Sequence, residues 1–287
     1  MSKAKQYRRY TRSVAGNIGF FSILILAGLF TVFPLFYCLI TSVKPLEELL
    51  IFPPKFFVSR PTFNNYRALP ALLSNMQIPI SRYVFNSLLI AVISTFFSII
   101  ACSLAAFSFS KSELKAKKIL FTVVQLMMLY NAYTLAVPQY LIFSKLKMID
   151  TFFVYILPAI PSAVNCFLMK QFMDVSIPDT LLEAARIDGA GVIKMYWRIV
   201  MPIMKPAWMT VLLFSFQGMW SIVPSGTVFS EKLKTLPYVM SSVTAGGIAR
   251  SGSSMAITVL LMIPPILVFL FTQSNVMETM SSSGIKE

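Results

Sequence analysis

Histidine is absent from this 287-residue chain, and acidic residues are scarce, 11 against 25 lysines and arginines. Six long apolar stretches, 17–43, 83–110, 119–144, 151–169, 206–230 and 251–277, hold no charged residue at all. Proton-coupled carriers and pumps keep an ionisable side chain at membrane depth, so this pattern weighs against that class. The lack of histidine also removes the zinc, Ser/His and Cys/His constellations of a membrane-embedded enzyme, and no catalytic or metal site is expected. No glycine-rich loop ends in Lys-Ser or Lys-Thr, so ATP hydrolysis by the chain itself is not expected. Cys38, Cys102 and Cys166 lie in three different apolar stretches without paired spacing. They read as small buried residues, not as a disulfide or metal framework.

What is present is hydrophobic surface: 56% of residues are apolar and the mean hydropathy is +0.73. Each of the six stretches is long enough to cross a hydrocarbon core of roughly 30 Å, so the expectation is an all-α membrane protein with six transmembrane helices. An even number of crossings puts both termini on one side. Lys3, Lys5, Arg8, Arg9 and Arg12 precede the first stretch, and Lys111, Lys115, Lys117 and Lys118 crowd the connection after the second. By the positive-inside rule those segments, and hence both termini, are cytosolic. The first stretch exceeds the apolar core of a signal peptide and reads as a retained span. The net charge of +14 is dispersed among spans rather than gathered on one face, which points to topology and lipid contact and not to nucleic acid.

Expected boundaries are a basic tail over 1–16, a membrane domain over 17–277 and a polar tail over 278–287. Within the domain, an outer loop over 44–82 carries Pro45, Pro53, Pro54, Pro61, Pro70 and Pro79, which rules out one continuous helix there. Pro34, Pro138, Pro158, Pro161, Pro224, Pro264 and Pro265 fall in the spans, where they mark kinks in a bundle. Ala101, Ala105 and Ala106 offer a small-residue face for close helix contact.

The most informative segment is the loop over 174–204 between the fourth and fifth spans, which includes EAARIDGAGVIKMYWRIVMP from Glu183 to Pro202. Ser176, Pro178 and Asp179 make a capping-box-like helix start, and the helix is expected over about 177–188. Gly189 and Gly191 supply positive-φ positions for a turn into a second helix. There the three/four spacing puts Val192, Ile193, Tyr196, Trp197 and Val200 on one face, with Lys194 and Arg198 on the other. An amphipathic helix pair lying on lipid headgroups also fits this pattern.

Glu183-Ala184-Ala185, then Gly189, Ile199 and Pro202 at their offsets, resembles the EAA loop of permease subunits in binding-protein-dependent ABC importers. Met201 stands where leucine is usual. The text SVKPLEELLIFPPKFF, TFNNYRAL, NSLLIAV and ILPAIPSAVNCFLMKQF is similar to the oligosaccharide (maltose-type) branch, so the resemblance covers most of the chain. It implies a non-catalytic subunit of the prokaryotic cytoplasmic (inner) membrane that imports a sugar. It also implies a homologous second permease, two copies of a cytosolic ATPase that binds the ATP and Mg2+, and an extracytoplasmic sugar-binding protein. Under the resemblance, Glu183, Ala184, Ala185, Arg186, Asp188 and Gly189 form the coupling helix docked in the ATPase. A sugar pathway calls for uncharged hydrogen-bonding groups and aromatic faces; Asn86, Gln125, Asn131, Asn165, Gln217, Trp220 and Ser221 qualify, and each fits helix packing equally. Family members carry Trp-Asn where this chain has Trp220-Ser221. The tail from Gln273 resembles the short cytosolic tail of one permease type. An ATP-independent channel or facilitator, and an ABC permease for a non-sugar solute, stay open.

Overall fold

A computed structural model of the chain describes residues 14–53, 55–72, 78–130, 132–224 and 226–284. Every regular element among them is helical. The basic tail from Lys3 to Arg12, Pro54 and Asn131 lie outside the described residues.

Four helices are long and apolar enough to cross a membrane, over Gly16–Ser42, Ile80–Lys111, Phe153–Ser176 and Ile248–Met277, and a fifth candidate is bent. The principal elements are α1 (Val14–Ser42), α2 (Ile80–Lys111), α3 (Lys117–Met127), α4 (Ala136–Lys145), α5 (Phe153–Ala159), α6 (Ala163–Ser176) and α7 (Asp179–Ile187). They continue with α8 (Val192–Ile203), α9 (Lys205–Trp220), α10 (Leu236–Thr244) and α11 (Ser251–Gly284). The expected third span, 119–144, is broken into α3 and α4 by the 3-10 turn Ala132–Leu135. Pro138 is the local cause: it lacks an N–H and its ring crowds the carbonyl four residues back, inside that turn. The fourth span runs past its expected end at 169 to Ser176, bringing Lys170 and Asp174 onto the helix. The fifth stops as a helix at Trp220, and α8 and α9 meet at 77°.

The described residues form two compact units. The first comprises residues up to Ala68 and Gly247–Val259. Its proline-rich segment is cut into single helical turns, as its prolines require. Asn65 donates to the Ser42 and Lys44 carbonyls at 2.8 Å each, Tyr66 to the Ser42 hydroxyl at 2.9 Å, and the buried Lys44 ammonium to the Lys55 carbonyl.

The second unit, Leu69–Gly246 with Leu260 onward, holds the larger core. There α2 packs on α9 and α6 through Ile99, Cys102, Ala106, Met169, Met173, Ala207 and Val211. Ala106 is wholly buried and Ala105 packs beside it, so the small-residue face does serve close contact. At the start of α2 a second network gathers the segment after α9. Asp150 accepts from the Phe229 and Ser230 amides at 3.0 and 2.7 Å, and Tyr83 donates to Glu231 at 3.1 Å. Asn86 donates to the Lys232 and Lys234 carbonyls at 2.9 and 2.8 Å.

Candidate functional site

The loop after α6 is built to hold one rigid shape. Ser176 is not a cap: it ends α6, Pro178 takes the N-cap of α7, and no side chain caps that start. The Asp179 carboxylate is engaged elsewhere, accepting from the Lys111 ammonium at 2.7 Å, while Lys111 also donates to the Ile177 carbonyl at 2.6 Å. One lysine, its side chain 6% exposed, thus ties the end of α6 and the start of α7 to the end of α2. Its hydrogen bond and its charge hold the Asp179 carboxyl below the usual carboxylate range.

The far end of α7 closes on Gly189 at φ +78°. The Gly189 amide donates to the Arg186 carbonyl at 3.0 Å and the Ala190 amide to the Ala185 carbonyl at 2.9 Å. These are the paired bonds of a Schellman motif, satisfying carbonyls that the helix end leaves open. Gly191 differs from expectation: at φ −67° and ψ 160° it is an ordinary extended N-cap of α8.

The facing of α8 also departs from the sequence reading. Tyr196 and Val200 are buried with Met195, whereas Val192, Ile193 and Trp197 are exposed. Packing sets the facing: Met195, Tyr196 and Val200 join the core built on α2, α6 and α9, and the helix widens into a π turn over Tyr196–Val200. Tyr196 is pinned inward by a 2.6 Å hydrogen bond with the Ser103 hydroxyl.

On α7, Leu182 and Ala185 are buried in the core, so Ala185 packs inward. Glu183, Ala184, Arg186, Ile187, Asp188 and Gly189 point outward. Arg186 reaches Glu113, just beyond α2, at 3.5 Å. The outward surface is therefore a knob with Ile187 87% and Ile193 77% exposed, flanked by Glu183, Asp188, Lys194 and Arg198. A shallow depression of about 580 Å³ lies along Gly191, Val192, Ile193, Lys194, Trp197 and Arg198.

The polar candidates separate clearly. Asn86 is buried and its amide nitrogen donates to the Lys232 and Lys234 carbonyls, so it staples the segment after α9, while its Oδ1 has no hydrogen-bond partner among the described residues. Trp220 is also packed, its Nε1 donating to the Leu261 carbonyl at 2.8 Å and its ring stacked on Phe216. Gln125, Gln217 and Ser221 are exposed and apart from the cavity described next. Asn165 alone of the described candidates lines that cavity, about 420 Å³, with Ser94, Ser162, Phe214, Ser215 and Met219 among its walls. Its amide donates to the Ser215 hydroxyl at 2.8 Å, and the Ser94 hydroxyl, wholly buried, has no hydrogen-bond partner. Ser94, Ser162 and Ser215 were missed. A readable signal was the serine repeat on α2, where Ser87, Ser94 and Ser98 recur at spacings that return to one helix face.

No family model matches the chain. The Sulfoquinovosyl glycerol transport system permease protein SmoH of Agrobacterium fabrum (strain C58) is 30% identical over 219 residues, 75% of this chain and 74% of that protein. The Arabinooligosaccharides transport system permease protein AraQ of Bacillus subtilis (strain 168) is 28% identical over 275 residues, 91% and 93% of the two chains. A solved bacterial ABC transporter involved in the import of the acidic polysaccharide alginate has a chain with the same fold, at TM-score 0.76 and 21% identity, covering 93% of this chain and 99% of its own. With the Glu183–Pro202 loop folded as a buried-backed, outward knob, these likenesses fix the family: the chain belongs to the transmembrane permease subunits of binding-protein-dependent ABC importers.

Proposed function

We infer that this subunit, paired with a homologous second permease in a prokaryotic inner membrane, forms the pathway through which an ATP-driven importer moves an oligosaccharide. An extracytoplasmic binding protein delivers the sugar, and two copies of a cytosolic ATPase, carrying the ATP and Mg2+, supply the energy. The observation that carries the reading is the knob over 183–198, which is apolar and exposed outside yet locked inside by the Gly189 turn, Lys111 and Tyr196. A surface held this stiffly transmits force; a floppy loop would absorb it. Glu183 offers a charge-assisted bond to a basic group on the ATPase.

The sugar reading is favoured by the uncharged cavity. Ser94, Ser162, Asn165 and Ser215 present hydroxyl and amide groups, while Phe214 and Met219 present apolar faces suited to pyranose C–H surfaces. It is favoured further by the transported compounds named for SmoH and AraQ.

Six crossings with cytosolic termini are part of this reading, and the course of the second unit supports the third of them. Tyr83 and Asn86, early in α2, meet residues 231–234, and Lys111, at its end, meets α7. At 1.5 Å per residue the 32 residues of α2 span about 48 Å. The chain leaves the α7 end at Glu113 and reaches the opposite end at Asp150, so the broken α3–α4 segment travels the same depth as α2. That supports reading it as the third crossing.

The test is co-purification of the detergent-solubilised permease complex with its ATPase, comparing wild type with Glu183→Lys. A stoichiometric ATPase on the wild type that is lost from the variant is the expected result. An ATPase absent from both in mild detergent would move the assignment to a channel or facilitator.

A further inference from the structure

Where α2, α3 and α6 converge at the α7 end of the second unit, a pocket of about 230 Å³ opens. Its walls are Phe109 and Ser110 of α2, Lys117, Lys118 and Phe121 of α3, and Lys170 and Asp174 of α6. Three ammonium groups face one carboxylate. Asp174 accepts from both Ser110 and Lys170 at 2.5 Å, and Lys117 donates to the Ser112 carbonyl at 2.9 Å. The Lys118 ammonium has no partner among the described residues. The floor is aromatic: Lys170 stands 4.6 Å over the Phe121 ring, which stacks on Phe167 at 5.9 Å. None of these groups belongs to the coupling knob or to the serine-lined cavity.

We propose that this pocket binds the phosphate of an anionic phospholipid, held by Lys117, Lys118 and Lys170 with the Ser110 hydroxyl as a fourth donor. Excess cation charge in a cleft between membrane helices is complementary to a lipid headgroup. Depth and shape favour a lipid over a soluble phosphate. The pocket sits where the basic connection 111–118 gives way to apolar helix, which is headgroup level, and Ile119 and Leu120 stand exposed beside it to bed an acyl chain. Asp174 acts as a built-in competitor for Lys170 and Ser110, and so tunes the affinity. Bound lipid would brace the end of α6, from which the coupling loop departs.

The test is native mass spectrometry of the full permease complex released from nanodiscs of phosphatidylcholine doped with phosphatidylglycerol. Wild type should retain phosphatidylglycerol in preference to phosphatidylcholine. A Lys117→Gln/Lys118→Gln double variant should lower that retention about tenfold, while a Lys145→Gln/Lys147→Gln control should not. Asp174→Asn should raise it, by freeing Lys170 and Ser110, a change in the opposite direction to any loss of folding. Equal retention in the double variant and its control, a fall in Asp174→Asn, or displacement of the lipid by inorganic phosphate in the buffer would each overturn the proposal.

Discussion

Lys111 shows how much one side chain can organise. It leaves the end of α2, reaches the last carbonyl region of α6 and grips Asp179 at the start of α7, so three elements share one ammonium. The favourable placement of a cation at a helix C-terminus and an acid at a helix N-terminus is satisfied at once. Asp179 is 77% exposed, which limits the tie to about 0.5 kcal/mol once solvent screening is allowed for. Its pH dependence has a definite sign. The carboxyl is held below its ordinary value in the folded chain, so the unfolded chain takes up the proton first. The stabilisation is therefore present in full above about pH 4 and lost as the pH falls through the folded value. Thermal midpoints of wild type and Asp179→Asn in detergent should differ by a constant amount from neutral pH down to about 4, and converge below it. A gap that grows with acidity would contradict the assignment. Tyr196 makes the same kind of contribution inside the core: Tyr196→Phe should cost about 1 kcal/mol, measured by thermal unfolding, because the hydroxyl bond to Ser103 is lost without a cavity being made.

At the scale of elements, the loop after α6 separates what stabilises the fold from what the proposed function needs for docking. Gly189 belongs to the first class. At φ +78° a side chain is strained even though nothing crowds the position, so Gly189→Ala should destabilise by about 1 kcal/mol. Trp197 belongs to the second. It is half exposed, so Trp197→Ala should change unfolding by less than about 0.5 kcal/mol and yet weaken ATPase association measurably in a pull-down. Parallel loss of stability and association in Trp197→Ala would mean that the knob is merely structural. The bounds of α7 were readable to within two residues, because Pro178 and Gly189 punctuate the chain by backbone chemistry that acts locally. The facing of α8 was not, because the core that Met195, Tyr196 and Val200 join comes from other helices, and no residue type within α8 announces it. For Asn86 and Trp220 pathway and packing stay open in the sequence for another reason. A polar or aromatic residue in an apolar span is visible in the sequence, but the carbonyl it meets is not, and for Asn86 that carbonyl lies 146 residues away. Ser94 falls between these cases: it belongs to a serine repeat on α2, yet is given meaning only by Asn165 and Ser215 arriving from α6 and α9.

For the whole molecule the open quantity is the number of crossings, and it turns on α3–α4. Four straight helices and one bent pair would suffice for a five-span protein, with the broken segment lying along one face. The two ends of the second unit argue otherwise, since Glu113 is tied to Arg186 beside the coupling loop and Asp150 to the segment 227–230 at the other end. A segment that starts at one end of the unit and finishes at the other is what a crossing requires, whatever its helices do between. Parity makes this measurable. Between residues 113 and 232 lie α3–α4, the α5–α6 helix and the α8–α9 pair; three crossings put the two positions on opposite faces, and two put them on the same face. Glu113 and Lys232 are both exposed, and the native Cys102 and Cys166 are buried, so once the half-buried Cys38 is replaced by serine, single introduced cysteines report cleanly. In cells treated with a membrane-impermeant maleimide, Lys232→Cys should label and Glu113→Cys should label only after the membrane is opened. Labelling of both from the same side would return the broken segment to one face and remove the pairing of cytosolic termini with a cytosolic coupling loop.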